Sequence, residues 1–202
     1  GLGIVVDASS CAYVTGYTES TNFPTTSKAF QRKLQGKSSG DSDAFVAKIS
    51  SNGTSLVYST YLGGTNTDHG QSIAVDALGR AYVTGSTRST NFPVSANAFQ
   101  TNGPTQGLPS QVFVSALDRN GESVVHSTFI GGLGNAVGFH IALDNAGNAY
   151  VTGSETGPGF PITPGNINPG GIFKSSDRAE KWAPSNNGLL HTQVEGIGID
   201  PV

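Results

Sequence analysis

The chain has 202 residues, of which only 12% are charged, and its formal net charge is −3. Its 11 Lys and Arg residues are scattered along the sequence, which argues against the clustered basic face of a nucleic-acid-binding protein. No apolar run is long enough for a membrane-spanning helix, and the single cysteine, Cys11, excludes an internal disulfide.

The sequence repeats itself with spacings of 69 and 68 residues. Residues 3–31 and 72–100 are closely similar, and a third copy opens at residue 141. Each copy carries an aspartate near its start and a glycine nine positions later: Asp7, Asp76 and Asp144, then Gly16, Gly85 and Gly153. A fixed period of this length predicts a repeat architecture.

Each complete copy contains four short runs of β-branched and aromatic residues. In chain order these runs cover residues 4–7, 12–18, 44–50 and 55–63, and then 73–76, 81–87, 112–117 and 123–131. No helical periodicity extends over a useful length. Each copy is therefore predicted to form four antiparallel strands and no helix.

The residues between the runs are typical of tight turns. The aspartate that ends the first run can accept hydrogen bonds from the turn backbone, and Gly79 and Gly147 can adopt the positive φ that closes the turn. Ser10 replaces this glycine in the first copy, so we expect slight strain there. Between runs three and four, Asn52-Gly53 and Asn120-Gly121 predict hairpins.

Both faces of the second run are apolar or small, as the alternation of residues 12–17 shows. A sheet with one solvated face would instead carry polar residues at every second position. Small sheets stacked face to face around an axis satisfy this pattern, which predicts an all-β chain of β-propeller blades. A stacked β-solenoid is the main competitor, although its repeats are usually much shorter.

An Asn-Phe-Pro triplet follows the second run in the first two copies and a Phe-Pro pair follows it in the third. We interpret the aromatic residues Phe23, Phe92 and Phe160 as plugs that bury against the neighbouring sheet; a ligand-stacking role is the alternative. Longer polar connections follow, and residues 32–43 and 101–110 are the candidate binding loops.

The motifs YVTGYTESTNFPTT, DAFVAKISSNGTSLVYSTYLGG and IAVDALGRAYVTGSTRSTNFP resemble the SBBP family of bacterial β-propeller repeats. The resemblance extends over about residues 1–161. It implies propeller blades of a large exported or cell-surface protein, and it does not imply an enzyme.

The third copy departs from this pattern after Phe160. Residues 171–182 resemble the hairpin of an Asp-box (BNR) repeat, with Ser175, Asp177 and Trp182 at its characteristic positions and Ala179 where glycine is usual. We therefore predict blade 1 at residues 1–71, blade 2 at 72–139, blade 3 with the Asp-box hairpin at 140–195, and the first strand of a fourth blade at 196–202.

No catalytic, cofactor or metal site is predicted. Asp-box repeats also occur in sialidases, but the five arginines lie on different elements and lack the sialidase motif. The sequence around Asp144 offers some oxygen ligands for calcium but lacks a closing glutamate, so a turn cap is the simpler interpretation, and calcium binding stays open.

We expect a non-catalytic scaffold or binding module, extracellular or on the cell surface, that recognises protein or carbohydrate and adjoins further blades of the same protein. The alternative is part of an exported glycoside hydrolase or lyase whose catalytic residues lie outside these 202 residues.

Overall fold

A computed structural model describes residues 1–105, 109–161, 170–175 and 182–184. These residues form three antiparallel four-stranded sheets and no helix. Sheet 1, the first blade, contains β1 (Gly3–Val6), β2 (Ala12–Thr18), β3 (Asp43–Ile49) and β4 (Leu56–Leu62). Blade 2 contains β5 (Asp68–Val75), β6 (Ala81–Thr87), β7 (Gln111–Leu117) and β8 (Val124–Ile130). Blade 3 contains β9 (Ala136–Leu143), β10 (Ala149–Glu155), β11 (Gly170–Ser175) and β12 (Trp182–Pro184).

The first turn of each blade closes as expected. The backbone N–H groups of Ser9 and Cys11 both donate to Asp7 Oδ1, at 2.9 Å each, and the aspartates of the other two blades accept equivalent bonds. Gly79 and Gly147 have φ of 77° and 83°. Ser10 adopts a φ of 62° at the same position, which confirms the expected strain, because a Cβ disfavours this region.

Two apolar layers hold the blades together, one on each face of blade 2. Its Val83 faces blade 1 in a layer with Tyr13 and Val46, whereas the next residue, Tyr82, faces blade 3 in a layer with Ile141. The alternation of a β-strand sends neighbouring side chains to opposite faces, so a strand that is apolar throughout can serve both layers. The prediction of all-β blades stacked face to face is confirmed.

The repeated glycines allow the first strand of a blade to bulge. Gly85 pairs with Gly70 beside a register shift, and a Cβ on Gly85 would lie 1.8 Å from the carbonyl oxygen of His69. In blade 3, a Cβ on Gly153 would lie 2.2 Å from the carbonyl oxygen of Val137. Gly16 has its own close neighbour, with Gly1 Cα at 2.8 Å. A side chain at these positions would push the two strands apart.

The first strands of blades 2 and 3 begin earlier than the sequence pattern indicated. Beyond the bulge, β5 continues back to Asp68 and β9 back to Ala136, because Asp68 pairs with Thr87 and Ala136 pairs with Glu155. The predicted blade boundaries at residues 72 and 140 thus fall inside strands. The segment 196–202, predicted as the first strand of a fourth blade, lies outside the described residues.

The Asn-Phe-Pro phenylalanines pack on the sheets of their own blades. The Phe23 ring lies 4.7 Å from that of Phe45, and the Phe92 ring lies 4.6 Å from that of Phe113. Phe92 is also part of the layer shared with blade 1, and Phe160 packs against the layer between blades 2 and 3. The Phe23 and Phe92 rings therefore cover their own sheets, and Phe92 and Phe160 also contact the layers that their blades share with a neighbour.

Candidate functional site: the loop-bearing end of the blades

The long connections all leave the blades at one end, because alternate strands of an antiparallel sheet reverse direction. This end, which we call the loop end, carries residues 19–42, 63–67, 88–110 and 131–135. Among the described residues, the opposite end carries the aspartate turns and the Asn-Gly hairpins, and the connection 19–42 reaches back to one of these hairpins, where Phe30 N–H donates to the Gly121 carbonyl at 2.9 Å. Most of the described connecting chain still lies at the loop end.

The repeated aspartates lie at the opposite end and act as structural caps. Tyr13 OH and Lys48 Nζ lie 3.2 Å from Asp7 Oδ2, and Lys48 Nζ donates to Tyr13 OH at 2.6 Å. Burial opposes ionisation of Asp7, but the hydrogen bonds from Cys11 N–H and from Lys48 outweigh it and lower the pKa of its carboxyl. The carboxylate is thus stabilised as an anion by protein donors alone.

The cation beside this tyrosine comes from equivalent lysines in blades 1 and 3 and from an arginine of the turn in blade 2. Blade 2 uses Arg80, which forms a 2.6 Å ion pair with Asp76, and in blade 3 Lys174 lies 5.1 Å from the centre of the Tyr150 ring. Asp144 accepts from two backbone N–H groups, from Asn148 Nδ2 and from Tyr150 OH. No group of three His, Cys, Asp or Glu residues that could hold a metal ion occurs within the described ranges.

The first candidate loop, residues 32–43, is held in place by two aspartates. Asp43 Oδ2 accepts from Gln31 Nε2 at 2.5 Å and from Gln35 N at 3.0 Å, and Asp41 Oδ2 accepts from Lys37 N and Ser38 N. The chain around this loop therefore enters any binding event already ordered, which lowers the entropic cost of binding.

The second candidate loop forms one wall of a cavity between blades 2 and 3. The cavity has a volume of about 360 Å³, and its polar lining comes from Gln100, Asn102, Thr105 and Gln111. Glycines, prolines and Leu133 complete the lining, including Gly131, Gly132, Pro104 and Pro109. Amides and hydroxyls can both donate and accept hydrogen bonds, so the cavity suits an uncharged polar ligand group.

Two buried carboxyl groups meet at the junction between blades 1 and 2. A Cβ on Gly63 would lie 2.8 Å from Asp43 Oδ1 and 2.7 Å from Asp68 Oδ2, so the glycine allows both side chains to approach. Asp68 accepts from Gly64 N at 2.6 Å, from Ser89 Oγ at 2.8 Å and from Thr87 Oγ1. Asp43 Oδ1 is buried without a hydrogen-bond partner among the described residues.

This environment raises the pKa of both carboxyl groups. Burial, strengthened by the charge of Asp43, raises the pKa of Asp68 to about 7. Burial also raises the pKa of Asp43, to about 6, against the hydrogen bonds from Gln35 and Gln31. Both side chains are 0% exposed, so the pair cannot reach a substrate as the two carboxyl groups of a glycosidase do.

Gly131 and Gly132 link blades 2 and 3 as Gly63 and Gly64 link blades 1 and 2, but this linker is stabilised differently. Gly132, the counterpart of Gly64, donates its N–H to Glu155 Oε2 at 3.3 Å, while Ala136 occupies the position of Asp68. Gln111 occupies the position of Asp43 and donates to the carbonyl of Gly132 at 3.4 Å. A carboxylate bonds the linker at both junctions, but the close pair of acids occurs only at the first.

Asp43 and Asp68 were not singled out from the sequence as a pair, although Asp43 ends the candidate loop 32–43, because neither acid recurs in the next copy. The available signal was a difference between aligned copies, since an acid in one copy is an amide or an alanine in the other. Of the predicted Asp-box residues, Ser175 ends β11 and Trp182 begins β12, and these two residues pair in register. Asp177 lies outside the described residues.

One family model matches the chain. Residues 57–93 match the SBBP β-propeller repeat, a segment that runs from β4 through β5 and β6 to the Asn-Phe-Pro triplet of blade 2. No curated protein matches the chain. The described residues contain no helix long and apolar enough to cross a membrane. The family match and the three face-packed sheets together show that the chain is a β-propeller module.

Proposed function

We propose that this propeller module is a non-catalytic scaffold and binding module of an exported or cell-surface protein, and that it recognises protein or carbohydrate. The observation that carries the proposal is the cavity at the loop end, because Gln100, Asn102 and Thr105 of its polar lining belong to the long connection between β6 and β7. Its volume falls within the ~300–1,000 Å³ typical of ligand sites. An exported glycosidase or lyase remains the alternative, with its catalytic residues outside this chain.

Further blades of the same protein are the proposed partner for the open face of blade 1. Ile73 and Ile141, on the first strands of blades 2 and 3, are 5% and 6% exposed because each packs on the preceding blade. Ile4 holds the same position in blade 1 and is 69% exposed. A preceding blade with a face like that of Tyr82 and Val114 would cover it. The hairpin of blade 3 is proposed to be an Asp-box hairpin.

A loop replacement tests the binding proposal. Replacing residues 101–109 with a short Gly-Ser turn removes the wall of the cavity and keeps all twelve strands. The matched control is Leu78→Ser, at the opposite end of blade 2, where the side chain is 62% exposed. All three proteins would be applied to an oligosaccharide array and to a displayed library of random peptides, with circular dichroism as the check on folding.

We expect ligands of the unmodified chain to be lost on loop replacement and retained by Leu78→Ser. Binding that survives the loop replacement, or an unmodified chain that captures nothing from either library, contradicts the proposed function.

A further inference from the structure

The two blade junctions differ at one position of the loop end. Between blades 1 and 2, the Tyr17 ring of blade 1 stacks on the His69 ring of blade 2, with 4.0 Å between ring centres and 26° between planes. Ser42 Oγ lies 3.1 Å from His69 Nε2. Two aromatic rings therefore fill this junction.

The register of the strands identifies the matching residues at the next junction. Thr18 pairs with Asp43 and Thr87 pairs with Gln111, so Ser86 of blade 2 corresponds to Tyr17 of blade 1. His69 lies one residue after the start of β5, and Val137 lies one residue after the start of β9. The small side chains of Ser86 and Val137 thus stand where the rings of Tyr17 and His69 stand at the first junction.

This exchange leaves a cavity of about 420 Å³ between blades 2 and 3. Its lining includes Thr67, His69, Ser86, Arg88, Asn135 and Val137. Ser110, the last residue of the second candidate loop, also lines it, but no described residue of 101–109 does, so the loop replacement tested above leaves this lining in place.

Arg88 gives the cavity its charge. Its guanidinium makes no hydrogen bond or ion pair with the described part of the chain, and the equivalent residue of blade 1 is an acid, Glu19. The second cationic candidate is His69, but burial and the charge of Arg88 lower its pKa, so its imidazole is neutral at neutral pH. A single fixed positive charge therefore faces the cavity.

Arg88 and Asn135 are exposed and Thr67 and Ser86 are half-buried, so this charge lies at the open mouth of the cavity among hydrogen-bonding groups. The hydroxyls of Ser86 and Thr67 and the amide nitrogen of Asn135 make no side-chain hydrogen bond among the described residues, while Asn135 Oδ1 accepts from Ser110 N at 3.3 Å. A guanidinium binds a carboxylate through two parallel N–H bonds, and the hydroxyls and amide suit neutral hydroxyl groups. The ligand therefore needs one carboxylate and several hydroxyls on one compact ring.

We propose that the cavity between blades 2 and 3 binds a uronic acid residue of an acidic polysaccharide, with the sugar carboxylate on the Arg88 guanidinium and its hydroxyls on Ser86, Thr67 and Asn135.

Isothermal titration of the chain with trigalacturonic acid, and with its methyl ester, tests this assignment. Because a hydrogen bond to a charged group contributes about 1.5–3 kcal/mol, the ester is expected to bind at least about tenfold more weakly. Arg88→Gln should weaken trigalacturonate binding by a similar factor. Arg119→Gln, which removes an exposed arginine at the opposite end of the blades, should change nothing.

A second variant fills the cavity in the way that blade 1 does. Ser86→Tyr places a phenol ring where Tyr17 stands at the other junction, and we expect it to abolish binding while circular dichroism stays unchanged. The chain with residues 101–109 replaced should still bind trigalacturonate, so the proposed function and this site can fail separately.

Three results would overturn the assignment. They are equal binding of the acid and its ester, full binding by Arg88→Gln, and binding of triglutamate as tight as that of trigalacturonate. The last would show a site for any carboxylate rather than for an acidic sugar.

Discussion

Replacing Asp43 with asparagine is expected to weaken the pH dependence of stability at the junction of blades 1 and 2, because one of the two titrating carboxyl groups is lost. Asp43 Oδ2 already accepts from Gln31 and Gln35, and an amide oxygen can keep both bonds. The amide nitrogen then takes the position of Oδ1, the buried atom without a partner, beside the carboxyl of Asp68. A donor replaces a repelling acceptor at that position.

The expected magnitude follows from the raised pKa values. Both carboxyl groups bind a proton more tightly in the folded chain than in the unfolded chain, where the pKa is 3.8. Their contribution to stability is therefore complete below about pH 4 and is lost as the pH rises through the folded values of about 6 and 7. Because one pKa unit corresponds to about 1.4 kcal/mol, ionising Asp68 alone lowers the free energy of unfolding by about 4 kcal/mol.

Urea unfolding followed by circular dichroism between pH 4.5 and pH 8 measures this effect. The unmodified chain should lose stability across this range, and Asp43→Asn should be more stable than it at pH 8 by about 3 kcal/mol, the cost of ionising Asp43 with its pKa of about 6. The control is Asp41→Asn, two residues away, whose carboxyl accepts only from loop N–H groups. If Asp43→Asn follows the same pH profile as the unmodified chain, burial does not raise the pKa of Asp43 in the folded chain, and the account of this junction is wrong.

Three further substitutions test the first turn of a blade and the packing between blades. Ser10→Gly should raise the free energy of unfolding by about 1 kcal/mol, because it relieves a positive φ on a residue with a Cβ. Gly79→Ser should lower the free energy of unfolding by a similar amount for the same reason. Equal midpoints of urea unfolding for the variants and the unmodified chain would contradict this account. Gly70→Ala should destabilise the chain by about 1–3 kcal/mol, because its Cβ would lie 2.3 Å from the buried Thr15 Oγ1 of blade 1; thermal melts that match the unmodified chain would show that this close approach is unimportant.

The sequence was sufficient to predict the strands and turns because their determinants are local. Asp76 and Gly79 specify the first turn of blade 2, and the apolar alternation of residues 81–87 requires a partner on each face. Both were confirmed, together with the strain at Ser10. The early start of β5 at Asp68 could not be predicted, because it depends on a bulge whose register is set by the neighbouring strand.

The candidate sites were predicted less well, since they depend on differences between copies rather than on the repeat itself. Tyr17 and Ser86 occupy equivalent positions, yet one fills a junction and the other opens it. The proximity of Asp43 to Asp68 joins residues from two blades, and only the packing of the blades reveals it. In a repeat chain, the repeated residues specify the scaffold, and the exceptions identify where the copies differ in chemistry.

Sedimentation equilibrium of the unmodified chain and of Ile4→Lys tests most directly the claim that blades stack through the face exposed on blade 1. An apolar strand face that is buried in blades 2 and 3 but open in blade 1 should drive concentration-dependent association. We expect the unmodified chain to associate and Ile4→Lys to remain largely monomeric. A monodisperse, cooperatively melting monomer of the unmodified chain at all concentrations would contradict the account.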